Sequence, residues 1–231
     1  MIGAVIFDMD DTLYSEYDFV KSGLKAVDHH LSFNNIKGFY EIAIVLFNKG
    51  IRNNLFNKTL EFLNVGYSEL DIKNLVFVYR NHTPNISLSD ETINIIKWLS
   101  SKYKMGLLTD GFLTTQEKKV KALELDKYFD VLIYSDQYGR KNWKPSNVPY
   151  LKVMEYFKLD GPHLLYVGDN ASKDFISAKK LGWLTIQLQT EQGIYKNISV
   201  DSEYEAHYKI TSISQLRELL CGKICSYTEV K

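Results

Sequence analysis

The chain has 231 residues, and 28 Lys+Arg balance 28 Asp+Glu, so its formal net charge is zero. With 45% hydrophobic and 24% charged residues it has the makeup of an ordinary globular protein, long enough for one large domain or a core with a smaller insertion. The zero balance argues against a binder of nucleic acid polymers held by charge alone, because that affinity rests on cationic surfaces releasing counterions, but it leaves room for a local basic pocket.

In chain order, the first apolar run is residues 4–7 (AVIF), which predicts a strand ending at Asp8. Residues 14–88 then carry helical rather than strand patterns. They run Phe19, Leu24, Val27 and Leu31, then residues 36–47, 55–63 and 70–79. Asn34-Asn35, Gly50 and Asn53-Asn54 punctuate them as turns, and His82-Thr83-Pro84-Asn85 reads as a return linker. Strand-like runs resume at residues 105–108 (MGLL), 131–134 (VLIY), 164–167 (LLYV) and 184–188 (LTIQL).

Helix signals fall between and after these runs. Thr114 to Glu117 reads as a capping box ahead of Val120 and Leu123. Ser172 is expected to open a helix through Phe175, Ile176 and Leu181 that Gly182 ends. Ser212 with Gln215 is expected to open a last one through Leu216, Leu219 and Leu220, ending at Gly222. Near-continuous apolar runs suit strands buried on both faces. The expectation is an α/β fold, a doubly wound (Rossmann-like) parallel sheet formed by residues 1–13 and 89–231, with a helical domain inserted at 14–88.

In such a sheet, ligands bind beyond the C-terminal strand ends. The residues there are Asp8-Met9-Asp10-Asp11-Thr12, then Thr109-Asp110-Gly111, then the stretch around Lys144-Pro145, then Gly168-Asp169-Asn170 with Asp174. Carboxylates gathered at one sheet end repel one another unless a cation neutralises them. A Mg²⁺ ion takes one or two carboxylates plus water and phosphate oxygens, which Asp8, Asp169 and Asp174 could supply together with the Asp10 carbonyl. An ionised Asp8 could attack phosphorus, and Asp10 could protonate the leaving oxygen and then accept a proton from water. Thr109 and Lys144 could steady the phosphoryl oxygens. Asp110 is counted with the phosphate contacts beside Thr109, although its side chain, like that of Asp11, reads as a local hydrogen-bonder.

These motifs, in this order and across nearly the whole chain, resemble the haloacid dehalogenase superfamily of aspartate-nucleophile phosphotransferases. The resemblance implies Asp8 as nucleophile, Asp10 as general acid/base, phosphate contacts at Thr109 and Lys144, and Mg²⁺ held by Asp8, the Asp10 carbonyl, Asp169 and Asp174. It also implies that the insertion is a helical cap of the first type, which helps choose substrate. Asp11 stands where the family's commonest form has Gly, which is similar to the branch of pyrimidine 5′-nucleotidases and acylneuraminate phosphatases. Of Lys141 and Lys144, the second is preferred for its following Pro145.

The expected activity is Mg²⁺-dependent hydrolysis of a small phosphate monoester, a nucleotide or a sugar phosphate. A phosphomutase using the same aspartyl-phosphate and a non-catalytic phosphate-ester-binding protein are the alternatives. Two cysteines, Cys221 and Cys225, fit a reducing compartment, with Cys221 expected to pack and Cys225 to lie in a tail. No run approaches the length of a membrane span or a secretory leader, so a cytoplasmic monomer or homodimer without membrane contact is expected. His29, His30 and His82 read as surface or linker residues. Phe39, Tyr40, Phe47, Phe56 and Phe62 read as core of the helical insertion. Arg52 and Arg80 read as solvated residues that could alternatively reach a second anionic group of the substrate.

Overall fold

Six strands pair in parallel, in the order β3-β2-β1-β4-β5-β6, in a computed structural model that describes residues 1–191, 193 and 198–222. They are β1 (Ala4–Phe7), β2 (Lys104–Thr109), β3 (Val131–Tyr134), β4 (Leu164–Gly168), β5 (Leu184–Leu188) and β6 (Tyr208–Ile210). The helices are α1 (Glu16–Ser32), α2 (Phe39–Asn48), α3 (Leu55–Phe62), α4 (Glu69–Asn81), α5 (Asp90–Ser100), α6 (Leu113–Ala122), α7 (Val148–Phe157), α8 (Ile176–Lys180) and α9 (Gln215–Cys221). All four residues of β1 and all five of β4 are buried, as their unbroken apolar runs demand. From β1 the chain steps outward to β2 and β3, then crosses back to β4. The order therefore reverses between β1 and β4, and their C-terminal ends flank the crevice where such sheets take ligands.

Two compact units result, one of residues 1–15 with 87–231 and one of residues 16–86. The first junction falls beyond Tyr14 because that residue stays with the sheet unit, its hydroxyl donating to Asp10 at 2.5 Å. Residues 16–86 form a helical unit of α1 to α4. Phe19, Leu24, Val27, Phe39, Phe47, Phe56, Leu60 and Leu75 are buried there. Asn35, Gly50 and Asn54 take left-handed backbone at the turns, and Ser68 with Asp71 forms a complete capping box for α4. Phe62 is 66% exposed instead of packed. His82 is half-buried just past α4, with Nδ1 at 2.6 Å from the Tyr79 carbonyl and Nε2 at 3.0 Å from the Ser22 hydroxyl.

Several local expectations are corrected. Helix α6 starts at Leu113, ahead of the anticipated box at Thr114, because the Asp136 carboxylate, from beyond β3, accepts the Leu113 N–H at 3.0 Å. Ser172 opens no helix. Its hydroxyl donates to Asn170 Oδ1 at 2.6 Å inside a turn, and α8 starts at Ile176, ending as expected with Gly182 at φ +81°. Helix α9 begins at Gln215, whose side-chain oxygen reaches back to the Thr211 and Ser212 N–H groups, and Gly222 flanks its end. Cys221 is exposed rather than packed, and Cys225 lies outside the described residues.

Candidate active site

Asp8 follows β1 directly and Asp169 follows β4 directly. The two strands are in register, Phe7 opposite Val167, so the two acids emerge side by side. The turn from Asn170 to Asp174 brings back a third acid, whose Oδ2 accepts the Asn170 N–H at 2.9 Å. One oxygen each from Asp8, Asp169 and Asp174 lie within 4.8 Å of one another, and all three residues are buried. Gly168 makes this approach possible, since a Cβ there would stand 2.6 Å from Asp174 Oδ2.

Lys144 supplies the counter-charge. Its ammonium donates to Asp8 Oδ1 at 2.6 Å, Asp174 Oδ1 at 2.8 Å and the Tyr166 hydroxyl at 3.0 Å, which uses all three of its protons. Burial opposes its charge, but Asp174 and Asp8 outweigh that and hold its pKa well above the usual lysine value. The competing Lys141 is exposed. Asp110 steadies the Lys144 loop. Oδ1 accepts the Ser135 hydroxyl at 2.6 Å and the Lys144 N–H at 3.1 Å, and Oδ2 faces Lys173 Nζ at 3.3 Å. Burial would raise the Asp110 pKa, yet the charges of Lys144 and Lys173 and these hydrogen bonds keep it below the ordinary value.

The acids are poorly compensated. Burial, then the neighbouring Asp174 and Asp10 charges, push Asp8 up to about 6 against the pull of Lys144. Burial and the charges of Asp174, Asp8 and Asp11 push Asp169 to about 9. Its Oδ2 is buried without a hydrogen-bond partner, and the Thr12 hydroxyl approaches its Oδ1 only at 3.4 Å. A buried carboxylate oxygen with no donor, beside two further acids, fits a hard divalent cation that takes oxygen ligands. Asp11 occupies a left-handed position, φ +52°, which explains why either Gly or Asp suits that place.

Asp10 and Thr109 are drawn together by residues that the sequence reading did not single out. Lys119 Nζ donates to Asp10 Oδ1 at 2.7 Å, and Gln116 Nε2 reaches both Asp10 Oδ2 at 2.9 Å and Thr109 Oγ1 at 2.6 Å. Burial would raise the Asp10 pKa, but Lys119 by charge and hydrogen bond, with Tyr14 and Gln116, holds it below the ordinary carboxylate value. The signal available in the sequence was slight. The inward residues of α6 include Thr115, Gln116 and Lys119, a polar stripe facing the protein.

Residues 5–188 match a family model described as haloacid dehalogenase-like hydrolase. The chain is 27% identical over 234 residues to the glyceraldehyde 3-phosphate phosphatase of Methanocaldococcus jannaschii, covering 95% of this chain and 97% of that protein. It is 21% identical to the pyrimidine 5′-nucleotidase YjjG of Escherichia coli, covering 94% and 97%. Among solved structures it is similar to the HAD-hydrolase YfnB of Bacillus subtilis bound to magnesium, with a TM-score of 0.69, 19% identity and coverage of 95% and 98%. That likeness is one of fold.

Proposed function

The chain belongs to the haloacid dehalogenase-like hydrolase family, and we propose on that premise that it is a Mg²⁺-dependent phosphatase of small phosphate monoesters, working through an aspartyl-phosphate on Asp8. The observation that carries the reading is the convergence of Asp8, Asp169 and Asp174 oxygens within 4.8 Å, with Asp169 Oδ2 left unpartnered. Asp8, Asp169, Asp174 and the Asp10 carbonyl would hold Mg²⁺, which when bound neutralises these acids and the phosphoryl charge.

The chain's own groups account for the rest of the chemistry. Asp8 Oδ forms a bond to phosphorus as the bond to the leaving alcohol breaks, and Asp10 passes to that alcohol's oxygen the proton that a monoanionic ester brings into the site. Water oxygen then bonds to phosphorus as its proton passes to Asp10, the Asp8–phosphorus bond breaks with its electron pair returning to Asp8, and the monoanionic phosphate leaves with that proton. Esterification removes the Asp8 charge, which frees a Lys144 proton to turn to the phosphoryl oxygens, where the Thr109 hydroxyl also donates. Asp110 acts by positioning the Lys144 loop. Residues 16–86 serve as a helical cap that selects the alcohol portion. A phosphorylated three-carbon sugar and a nucleotide, named by the two relatives above, are the first esters to try. Among the described residues no helix is long and apolar enough to cross a membrane.

The test is phosphate release from p-nitrophenyl phosphate, glyceraldehyde 3-phosphate and nucleoside monophosphates, with Mg²⁺ and with a chelator. Turnover is expected only with Mg²⁺, and Asp8→Asn, which keeps the size but loses the nucleophile, is expected to drop it by more than ~10³-fold. An Asp8→Asn protein as active as the parent overturns the reading.

A further inference from the structure

Asp10 is held by more donors than a solvated turn acid requires. Oδ1 accepts from the Tyr14 hydroxyl at 2.5 Å and from Lys119 at 2.7 Å, and Oδ2 accepts from Gln116 at 2.9 Å. Gln116 and Lys119 stand three residues apart on α6 and so share one face. Both are nearly inaccessible, at 2% and 3%, although these residue types are seldom buried. The space that Gln116 fills exists because residue 111 is glycine. A Cβ there would lie 2.9 Å from the Gln116 Cδ, and the backbone is at φ +130°.

The shared amide has a directional consequence. A threonine hydroxyl has one proton to give and lone pairs to receive. Gln116 donates to Thr109 Oγ1 at 2.6 Å, so the Thr109 proton must point away from Gln116. Lys119 and Tyr14, for their part, present only donors to Asp10 Oδ1, which keeps this carboxylate turned toward them as an acceptor.

We propose that Gln116 and Lys119 are positioning residues that serve different halves of the reaction, an inference that rests on the phosphatase reading and refines it. Gln116 commits the Thr109 hydroxyl as a donor to the phosphoryl group in both steps. Lys119, with Tyr14, holds the Asp10 carboxylate as the acceptor for the second step. In that step the water oxygen bonds to phosphorus, its proton passes to Asp10, and the electron pair of the Asp8–phosphorus ester bond returns to Asp8. An aryl phosphate has a leaving group that needs no proton, so with p-nitrophenyl phosphate kcat/KM reports the first step and the slow release of phosphate reports the second.

Rapid mixing of that ester and Mg²⁺ with parent, Lys119→Met, Tyr14→Phe and Gln116→Leu proteins tests the assignment. Lys119→Met is expected to lower kcat about 10- to 100-fold with KM falling in proportion. Its kcat/KM should stay near that of the parent, with a nitrophenol burst stoichiometric with enzyme and acid-stable phosphate on Asp8. Gln116→Leu is expected to lower kcat/KM as well. A merely structural role for Lys119 would lower kcat/KM as far as kcat and give no burst, and that result overturns the proposal. Where Lys119→Met fails to fold, Tyr14→Phe decides, since it removes one donor without changing shape. A smaller burst of the same kind is expected, and its absence overturns the assignment. A parent that releases no phosphate with Mg²⁺ overturns the phosphatase reading itself, whereas an active parent beside an unaltered Lys119→Met overturns only this refinement.

Discussion

Lys144 and Asp174 form an ion pair with both side chains fully buried, Nζ to Oδ1 2.8 Å. The same ammonium serves Asp8 at 2.6 Å, so one cation is divided between two carboxylates while Asp169 is left to its acidic neighbours. The balance of charge in this small volume decides how the site responds to mutation, to pH and to metal.

Replacing the shared cation should be costly. Lys144→Met keeps much of the volume but leaves Asp8 and Asp174 buried without their positive partner. Breaking a buried pair on one side typically costs roughly 3–5 kcal/mol. Urea unfolding in a chelator should report a loss of that order, greater at alkaline than at acid pH, because acid protonates Asp8, which burial already raises to about 6. Phosphate release should fall at least ~10²-fold even where Mg²⁺ restores the fold, because a donor to the phosphoryl oxygens is gone.

The pH dependence of the metal-free protein has a defined sign. Asp8 at about 6 and Asp169 at about 9 both stand above the ordinary value of 3.8, so the folded chain retains protons that the unfolded chain has released. Their contribution to stability is complete below about pH 4 and drains away as pH rises, first through 6 and then toward 9. Binding Mg²⁺ requires the ionised acids and expels those protons. Melting curves should therefore show a metal-free Tm that falls between about pH 5 and about pH 9, and a Mg²⁺-induced rise in Tm that grows over the same interval. A rise in Tm that is independent of pH would contradict the assignment of these acids to the metal.

Gly168→Ala places a carbon 2.6 Å from Asp174 Oδ2 and 3.0 Å from the Tyr166 ring. Asp174 must then leave the Asn170 N–H or Lys144. The overpacking should cost about 1–3 kcal/mol. The sharper readout is the Mg²⁺ concentration for half-maximal activity, which is expected to rise, with the folded secondary structure retained by circular dichroism.

Much of this fold was legible because five of its strands are apolar runs with few other interpretations. The sixth, Tyr208–Ile210, is three residues long at the sheet edge and alternates Tyr-Lys-Ile, too short a signal to separate from a loop. The acids of the candidate site were legible because Asp8 and Asp169 directly follow strands, and strand ends locate themselves. Lys119 and Gln116 were not, because their meaning depends on which face α6 turns toward Asp10, more than 100 positions earlier in the chain. The start of α6 was misjudged for the same reason. Its cap is Asp136, a residue from another loop, whereas Thr114 offered a local box that the backbone did not use.

The place of β1 in the sheet bears on how a newborn chain acquires its chemistry. The earliest of these six strands to be made is an interior one, and its neighbours are β2, starting at Lys104, and β4, starting at Leu164. Helices α1 to α4, with contacts close in sequence, can assemble in the interval, while both edges of β1 wait bare and prone to stray pairing. A chain halted before Leu164 would own Asp8, Asp10, Thr109 and Lys144 but neither Asp169 nor Asp174. The acid cluster is thus withheld until Asp174 has been made, and no fragment ending earlier can bring these three carboxylates together.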